Sequence, residues 1–568
     1  MTVARKFFIQ TRFLETMHSL RTYLEKLREV VPDQLVSVKE QIDWRYEVTA
    51  RVAEMERQRV NPALLLENVK DHSMPLLVNL FGHVDRIALG LKGAPHVEGS
   101  RLKFYDAWNG LFHQEVPPTH VKGGPVKDVI LKKGEVDLES LPIPLFYRED
   151  GGRYVTAGLM AARNPDDPEE VNLSYVRMHL KGRDSFGVSF HSRGHMWRYL
   201  ESSKALGEPM EVAVIIGAHP SLYLAAAAKI TDEYHRAGAL LGEPIEVVDC
   251  ETVDVPIPAH AEIVLEGVIR LEEEGEGPFT EYTGYISGRS TRNLFKVSAI
   301  TRRKDAIFLA VAPSNSAEHL LLSGLPKQAR ISRAMADFIH TPALKDIIWP
   351  VWATHFACFI SLKEGMERSP GLAKQLGLLL LGLDHYVKVV AVLPAETDIS
   401  DMESVLGAIA SRCDFRDGAG VELLSDVYCQ WLDPSSPQAG ISSKMIVDAT
   451  GPIIELMAGG GGAEKDAHLS ENIKDISHLG EGGRAAAVSV TPKLGDLADL
   501  LNYGPLANSR LIVCVDEDIT ISDARQVVWA IATRYQPAED SILRGGRMVV
   551  DARKGDGWTA RKATLPSQ

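Results

Sequence analysis

The sequence is poor in cysteine, and its cysteines follow no pattern that would use them chemically. The five cysteines among 568 residues are widely spaced and form no Cys-x-x-Cys pair, so reduced, buried thiols are expected rather than disulfides or a zinc site. The N-terminus has no apolar core of a signal peptide, and the longest apolar run, residues 376–383, is too short to cross a bilayer. These absences predict a cytoplasmic protein with no membrane partner.

Positive charge is also in short supply. The chain has 62 Lys and Arg against 76 Asp and Glu, a formal net charge of −14. Nucleic-acid-binding proteins usually present a basic face, so no nucleic-acid partner is expected. Hydrophobic residues make up 45% and charged residues 24% of the chain. These are ordinary values for globular proteins, and the length predicts several domains.

The first part of the chain mixes helical and strand patterns. Apolar residues at helical spacing predict helices over residues 15–32 and 42–57, and short apolar runs predict strands at 62–66 and 74–80. We therefore predict an N-terminal α/β region over residues 1–118.

The middle of the chain has a different pattern. Within residues 119–312, short runs rich in Val, Ile and Tyr recur between Gly, Pro and Asp, which predicts a largely antiparallel barrel or sandwich. A helix is expected inside it at residues 230–241, with Thr231 as its cap. Residues 313–344 are predicted to form a linking helix.

The C-terminal part contains an internal repeat. Ile399-Ser400-Asp401 recurs as Ile521-Ser522-Asp523, and the segment 444–449 recurs in the same order as 547–552. Two blocks in one order predict a duplicated strand–helix–strand module. We assign its copies to residues 345–455 and 456–568. The second copy is expected to pack on the first and to enlarge a subunit interface, because a repeat buries its open face on a neighbour.

Three polar residues in separate segments offer ligands for a hard cation. Asn172, His191 and Glu233 provide an amide oxygen, an imidazole nitrogen and a carboxylate, a sulfur-free set that suits Mn²⁺ or a similar ion better than structural zinc. Each also has a structural alternative: a strand asparagine at a bulge, a hydrogen-bonded histidine, and a glutamate favoured at a helix N-terminus. His195 is the main rival of His191.

A second set could move a proton. Glu276 and Glu281 bracket a Gly-Pro turn, and Arg177 can bind a carboxylate with two hydrogen bonds. One glutamate would stay ionised beside the arginine, while the other could hold a proton near neutral pH. The alternative is that the acidic run at 271–276 is only a solvated loop. Asn172 and Arg177 are an odd number of residues apart, so a bulge or strong twist is needed for both to face one ligand.

In combination, these segments resemble the UbiD family of prenylated-flavin decarboxylases, which includes fungal ferulic acid decarboxylase. The resemblance covers about residues 18–455, and residues 456–568 continue beyond the family's usual end. The segments that carry it are Asn172-x-x-x-x-Arg177, Phe190-His191 with Arg193-Gly194, Glu233-Tyr234 with Gly242-x-Pro244, Glu276-Gly-Pro-Phe-x-Glu281, and Lys444 with Asp448-Ala449-Thr450.

The resemblance implies reversible, non-oxidative decarboxylation of an aromatic, heteroaromatic or α,β-unsaturated carboxylic acid. The implied cofactor is prenylated FMN, supplied by a flavin prenyltransferase, with Mn²⁺ on Asn172, His191 and Glu233 and K⁺ nearby. Glu281 would deliver the proton, and Glu276 and Arg177 would position the carboxylate. The residues implied to bind the cofactor are Asn172, Ser174, Tyr175, Val176, Arg177, Phe190, His191, Arg193, Gly194 and Glu233.

The fold class expected from both lines of reasoning is α+β. The resemblance implies a split β-barrel that binds the flavin and a C-terminal α/β domain that builds a homodimer or larger homo-oligomer. Two other functions are weighed: a flavin-binding redox protein on a split barrel, and a non-catalytic subunit of a carboxylase complex. The proton-handling residues argue against the first and the intact polar set against the second. Tyr282 and residues 314–322 are candidates for the substrate wall.

Overall fold

A computed structural model describes residues 18–190, 194–288, 290–339, 343–416, 419–455, 469–555 and 557–566. These residues divide into two compact units. The first contains those within Met1–Gly99, Asp106–Lys327 and Lys562–Gln568, and the second those within Ser100–Tyr105 and Gln328–Arg561. Most of the predicted N-terminal region and the described part of the predicted barrel region therefore fall in one unit.

Eleven α-helices are numbered here among the described residues. They are α1 (Leu20–Val30), α2 (Glu47–Arg57), α3 (Val84–Leu89), α4 (Arg101–Phe112), α5 (His195–Leu206), α6 (Pro220–Ala227), α7 (Glu233–Leu241), α8 (Ala317–Ile339), α9 (Leu372–Leu383), α10 (Met402–Arg412) and α11 (Ala524–Arg534). Within the described ranges, none of the helices is long and apolar enough to span a membrane.

The first unit contains four sheets. Their strands are β1 (Leu35–Ile42), β2 (Ala63–Val69), β3 (Leu76–Val78), β4 (Thr119–His120), β5 (Val129–Lys132), β6 (Tyr154–Val155), β7 (Gly158–Asn164), β8 (Asp167–Tyr175), β9 (Met178–Gly182), β10 (Ser185–Val188), β11 (Met210–Ile216), β12 (Glu246–Asp249), β13 (Pro256–Pro258), β14 (Ile263–Glu276), β15 (Phe279–Thr280), β16 (Ile286–Ser287), β17 (Ser290–Arg302) and β18 (Phe308–Leu309).

The largest of these sheets has nine strands. Its order is β6-β9-β10-β17-β14-β11-β7-β8, with β5 paired to β17, and every pairing is antiparallel. The largely antiparallel region predicted for 119–312 is therefore present. β11 lies between β14 and β7 in this sheet, and six of its seven residues are buried. The smaller sheets are β1-β2-β3-β18, β13-β12-β4 and β15-β16.

Two predicted helices begin later than expected. Of residues 42–57, Ile42 is the last residue of β1 and helix α2 begins only at Glu47. Residues 43–46 connect the two elements. Helix α7 begins at Glu233, and its cap is Asp232 in the left-handed conformation (φ 61°) with no side-chain hydrogen bond. The prediction of Thr231 as the cap is therefore wrong. The left-handed backbone of Asp232 interrupts the helical conformation, so residues 230–231 lie before the helix.

The second unit contains two five-stranded sheets of identical design. Their strands are β19 (Leu344–Ile348), β20 (Ala357–Leu362), β21 (Val389–Leu393), β22 (Val421–Tyr428), β23 (Ile441–Asp448), β24 (Ile473–Leu479), β25 (Ala485–Val490), β26 (Leu511–Val515), β27 (Ser541–Arg544) and β28 (Arg547–Asp551). The orders are β19-β20-β21-β23-β22 and β24-β25-β26-β28-β27. Parallel and antiparallel pairings also correspond strand for strand. The duplicated module predicted from the repeat is present.

The two copies pack against each other. Arg510 of the second copy donates to the backbone carbonyls of Ala410 and Cys413 in the first, at 2.7 and 2.8 Å. In the first copy, Lys388 pairs with Asp433 at 3.0 Å with both side chains fully buried. Lys388 also donates to the carbonyl of Tyr535 in the second copy at 3.1 Å. The second copy thus buries a face on the first, as predicted.

Candidate active site

A break between β8 and β9 turns Asn172 and Arg177 toward the same cavity. β8 ends at Tyr175 and β9 begins at Met178, and the Val176 N–H donates to the carbonyl of Gly158 at 3.2 Å. This interruption, in place of the expected bulge or strong twist, lets Asn172 and Arg177 face one cavity. The cavity lies in the first unit and has a volume of about 670 Å³, which suits a small-molecule or cofactor site.

Most of the predicted cofactor residues line this cavity. They are Asn172, Ser174, Tyr175, Val176, Arg177, Phe190, Gly194 and Glu233. Glu281 also reaches it, whereas the buried Glu276 lies behind Arg177. The remaining two, His191 and Arg193, lie outside the described residues.

Arg177 connects the two predicted acid–base carboxylates. Its Nε donates to Glu276 Oε1 at 2.9 Å and its Nη2 to Glu276 Oε2 at 3.0 Å, while Nη1 donates to Glu281. Burial lowers the pKa of Arg177, but the charges of Glu281 and Glu276 outweigh this and raise the pKa overall. The guanidinium is therefore a permanent cation. The Glu276 side chain is 0% exposed and that of Glu281 13%, so Glu281 is the carboxylate open to a ligand.

The turn that carries these glutamates is held by side chains from outside it. The Tyr154 hydroxyl accepts the Gly277 N–H at 3.1 Å and donates to the Pro278 carbonyl at 3.2 Å. Asp150 Oδ1 accepts both the N–H and the hydroxyl of Thr280, at 2.8 and 2.9 Å. Burial raises the pKa of Asp150 to about 6, and these hydrogen bonds oppose the rise. Sequence reasoning missed both residues, which belong to none of the segments that carried the resemblance.

At another part of the cavity, three potential metal ligands converge. Of the two terminal amide atoms of Asn172, the one that faces His195 lies 2.7 Å from His195 Nδ1. With the amide nitrogen in that position, it donates to His195 and, at 3.1 Å, to Glu233 Oε1. The second oxygen of Glu233 accepts the Leu173 N–H at 3.0 Å. The histidine that contacts Asn172 here is thus the rival residue His195, the first residue of α5.

The electrostatics of this set favour a cation. Glu233 is 1% exposed, and burial raises its pKa to about 8, with the charges of Asp232 and Glu170 adding to the rise. Within the described residues no group of three or more His, Cys, Asp or Glu is arranged to hold a metal; in this set the third donor is an amide. An amide oxygen, an imidazole and a carboxylate are suitable donors for a hard divalent ion.

The same part of the cavity is suited to an anion. Arg198 and Lys229 line it, and helices α5 and α7 begin there, at His195 and Glu233. Helix N-termini and basic side chains both favour negative charge. Lys229 has φ 54°, a left-handed conformation that is uncommon for a residue other than glycine and that clusters at functional sites.

His319 contributes to the wall near Glu281. It lines the cavity together with Leu322, both within the segment predicted to form the substrate wall. Its ring meets that of Tyr282 edge-on, with centroids 6.4 Å apart, and its Nδ1 lies 3.1 Å from the Ser314 carbonyl oxygen. Burial lowers the pKa of His319, although Ser314 and Glu281 oppose this. Burial therefore favours the neutral form of this imidazole, which lines the cavity.

Comparison with known families matches most of the chain. Residues 28–101, 119–316, and 321–449 with 470–552 match the 3-octaprenyl-4-hydroxybenzoate carboxy-lyase N-terminal, Rift-related and C-terminal domains. The chain belongs to the UbiD family. The predicted family is confirmed, and so is the prediction of a carboxy-lyase; the redox and non-catalytic alternatives are not favoured. The C-terminal match extends into the second module copy.

Two relatives illustrate the similarity of this UbiD-family protein to characterised proteins. It is 30% identical over 443 residues to anhydromevalonate phosphate decarboxylase of Methanothermobacter thermautotrophicus, covering 76% of this chain and 97% of that protein. It is 33% identical to the UbiD-class enzyme HmfF from Pelotomaculum thermopropionicum, solved with FMN, with a TM-score of 0.69. That match covers 76% of this chain and 94% of HmfF.

An evolved dimeric form of HmfF has been solved with prenylated FMN. The chain is 32% identical to it, with a TM-score of 0.67, over 78% of this chain and 97% of that one. The mixed helix and strand content of the predicted α+β fold agrees with these structures.

Proposed function

We propose that this UbiD-family chain uses prenylated FMN to decarboxylate an aromatic, heteroaromatic or α,β-unsaturated acid reversibly. The observation that carries the proposal is the Arg177 cation between buried Glu276 and accessible Glu281 at the cavity. The HmfF structures with FMN and prenylated FMN support the choice of cofactor. A redox flavoprotein would have no need of this proton-handling arrangement.

Other polar residues that line the cavity would hold the cofactor's phosphate and its metal. Asn172, His195 and Glu233 would bind Mn²⁺, with His195 in place of His191, because His195 contacts the Asn172 amide. A cation would offset the cost of burying the Glu233 carboxylate, and with it the smaller repulsion from Asp232 and Glu170. Arg198, Lys229 and the two helix N-termini would offset the phosphate charge. A neighbouring K⁺ stays a prediction.

When bound, the prenylated flavin supplies the covalent chemistry that labilises the bond to the substrate carboxylate. Glu281 then performs the proton transfer: as the carbon loses CO₂, the carboxyl proton of Glu281 forms the new C–H bond, leaving a carboxylate. Arg177 holds that carboxylate, and Glu276 holds Arg177. In the carboxylation direction, Glu281 takes the proton back. His319 and Leu322 would form part of the wall against the substrate.

The proposal extends to assembly and supply. The nine-stranded sheet region would bind the flavin, and the second unit would build a homodimer or larger homo-oligomer. The dimeric form of HmfF supports self-association. A flavin prenyltransferase would supply the cofactor, and the protein would act in the cytoplasm on a small carboxylic acid.

The decisive experiment is to co-express the chain with a flavin prenyltransferase and to record the absorbance and mass spectra of the bound cofactor. We expect prenylated FMN, about one equivalent of manganese, and CO₂ release from at least one acid in an aromatic and unsaturated acid screen. Recovery of a flavin that is reduced by NAD(P)H without any CO₂ release would instead support the redox alternative.

A further inference from the structure

The end of the chain returns to the first unit after the second module copy. The described residues within Lys562–Gln568 belong to that unit. Lys562 pairs antiparallel with Tyr285, and the Ala563 N–H donates to the Gly284 carbonyl at 3.0 Å. We name residues 562–564 the terminal strap. The strap thus forms an isolated β-bridge with the loop of the β15–β16 hairpin.

The strap pairs with the residues that hold the backbone of Glu281. The loop of this hairpin begins at Glu281, whose N–H donates to the Tyr285 carbonyl at 2.9 Å, while the Gly284 N–H donates to the Glu281 carbonyl at 2.9 Å. Gly284 has φ 85°, a conformation that other residues rarely adopt. Both backbone polar groups of Glu281 are thus bonded to residues that contact the strap.

A second group of contacts joins the strap to the other support of the turn. Thr564 donates its N–H to Glu149 Oε2 at 3.0 Å, and its hydroxyl also donates to Glu149. Its carbonyl accepts the Arg148 N–H at 3.4 Å. The next residue, Asp150, holds the N–H and hydroxyl of Thr280, immediately before Glu281. The strap therefore contacts both loops that fix the backbone on either side of Glu281.

We propose that the terminal strap is a positioning element for Glu281. This positioning role rests on the proposed function, because the strap can affect the reaction rate only if Glu281 transfers the proton. Lys562 and Thr564 are exposed, so the strap adds little to the hydrophobic core. Its contribution is to restrict the hairpin loop by backbone hydrogen bonds, and a small displacement of a catalytic group can lower a rate by about a hundredfold.

The test compares two truncations of the holoenzyme. A chain ending at Arg561 lacks the strap, whereas a chain ending at Thr564 keeps every contact described above and is the matched control. For the Arg561 truncation we expect faster hydrogen exchange over residues 279–287 and a fall in kcat of about ten- to a hundredfold. KM and the bound flavin should be unchanged, and the control should behave like the full chain.

Point variants keep the proposal testable if the shorter chain does not fold. In the full-length protein, Thr564→Val removes the hydroxyl that donates to Glu149, and Ala563→Pro removes the N–H that donates to Gly284. Both variants should speed hydrogen exchange over residues 279–287 and lower kcat, as the truncation does. Thr564→Ser, which keeps the hydroxyl, should behave like the full-length protein. The carboxylate of Glu149 can be tested in the same way with Glu149→Ala.

The possible results distinguish the strap from the proposed function. Unchanged exchange over 279–287 in the Arg561 truncation would overturn docking of the strap. Faster exchange with an unchanged kcat would overturn its positioning role. Full activity of Glu281→Gln would instead refute the proton-transfer role itself, whatever the exchange data show.

Discussion

Arg177 binds both oxygens of the fully buried Glu276 carboxylate, through Nε at 2.9 Å and Nη2 at 3.0 Å. A bidentate pair of this kind fixes the plane of the guanidinium as well as its position. The remaining nitrogen, Nη1, donates to Glu281. Two carboxylates thus share one cation, but only Glu281 extends to the cavity. This division supports the proposal that Glu276 anchors Arg177 and that Glu281 transfers the proton.

The first prediction concerns Glu281→Gln. The amide keeps the shape of the side chain and can still accept from Arg177, but it cannot transfer a proton. We expect CO₂ release to fall by about 10²- to 10⁴-fold while the flavin stays bound, as measured by CO₂ detection and absorbance. Glu273→Gln, at an exposed position of β14, is the control and should retain full activity.

The second prediction separates the two candidate histidines. His195→Ala should lose manganese and flavin together, because His195 contacts the Asn172 amide at 2.7 Å and would supply the nitrogen ligand. His191→Ala should retain both. Elemental analysis and the flavin absorbance of purified protein give the answer. Loss of metal from the His191 variant with full loading of the His195 variant would restore the original prediction.

The third prediction tests the packing behind the catalytic turn. A Cβ atom on Gly151 would lie 2.4 Å from the Gly277 carbonyl oxygen, so Gly151→Ala must displace one backbone segment. We expect a loss of about 1–3 kcal/mol in unfolding free energy and a fall in kcat of about tenfold or more. Gly134→Ala, where a Cβ meets nothing within 4 Å, should change neither quantity. Equal stability and kcat in the two variants would contradict the close approach.

The fourth prediction concerns the pH dependence of stability. Burial raises the pKa of Glu318 to about 7, although N–H groups of Ala312, Phe81 and Asn79 bond to it and oppose the rise. In the unfolded chain a glutamate titrates near pH 4.3, so the folded state holds the extra proton between about pH 4.3 and 7. The unfolding free energy should therefore be larger below this window and fall by on the order of 3 kcal/mol as pH rises through it.

Urea unfolding at a series of pH values measures the slope of the unfolding free energy against pH. Glu318→Gln should make the pH dependence less steep, since the amide does not titrate, whereas the buried Asp150 and Glu233 still do. The variant also loses an acceptor and should be less stable throughout. Glu272→Gln changes an exposed carboxylate and should leave the slope as it is. A slope that is the same in the Glu318 variant would exclude this residue as its source.

Repetition and composition made much of the fold predictable. The recurrence of Ile399-Ser400-Asp401 as Ile521-Ser522-Asp523 predicted two copies of one module, and both form the same five-stranded sheet. The short Val- and Ile-rich runs of the middle region predicted antiparallel strands. In each case a local pattern determines the element, because burial on one or both faces dictates which side chains alternate or cluster.

The site was less predictable, because it depends on contacts between distant segments. Asn172 and Arg177 were identified as a pair, but the break at Val176 that orients them could not be read from residue types. His191 and His195 are both plausible ligands by spacing, and only the fold brings the second one to Asn172. Asp150 and Tyr154 support the turn from sequence positions more than a hundred residues away, with no local signal.

The packing of the two module copies has a consequence for dilute solution. Subunits held together by similar contacts separate when protein concentration falls well below their dissociation constant. Here both partners belong to one chain, so each copy meets the other at an effective concentration set by the connecting segment. Burial of the Lys388–Asp433 pair, whose lysine also donates to the Tyr535 carbonyl of the second copy, is therefore expected not to depend on protein concentration.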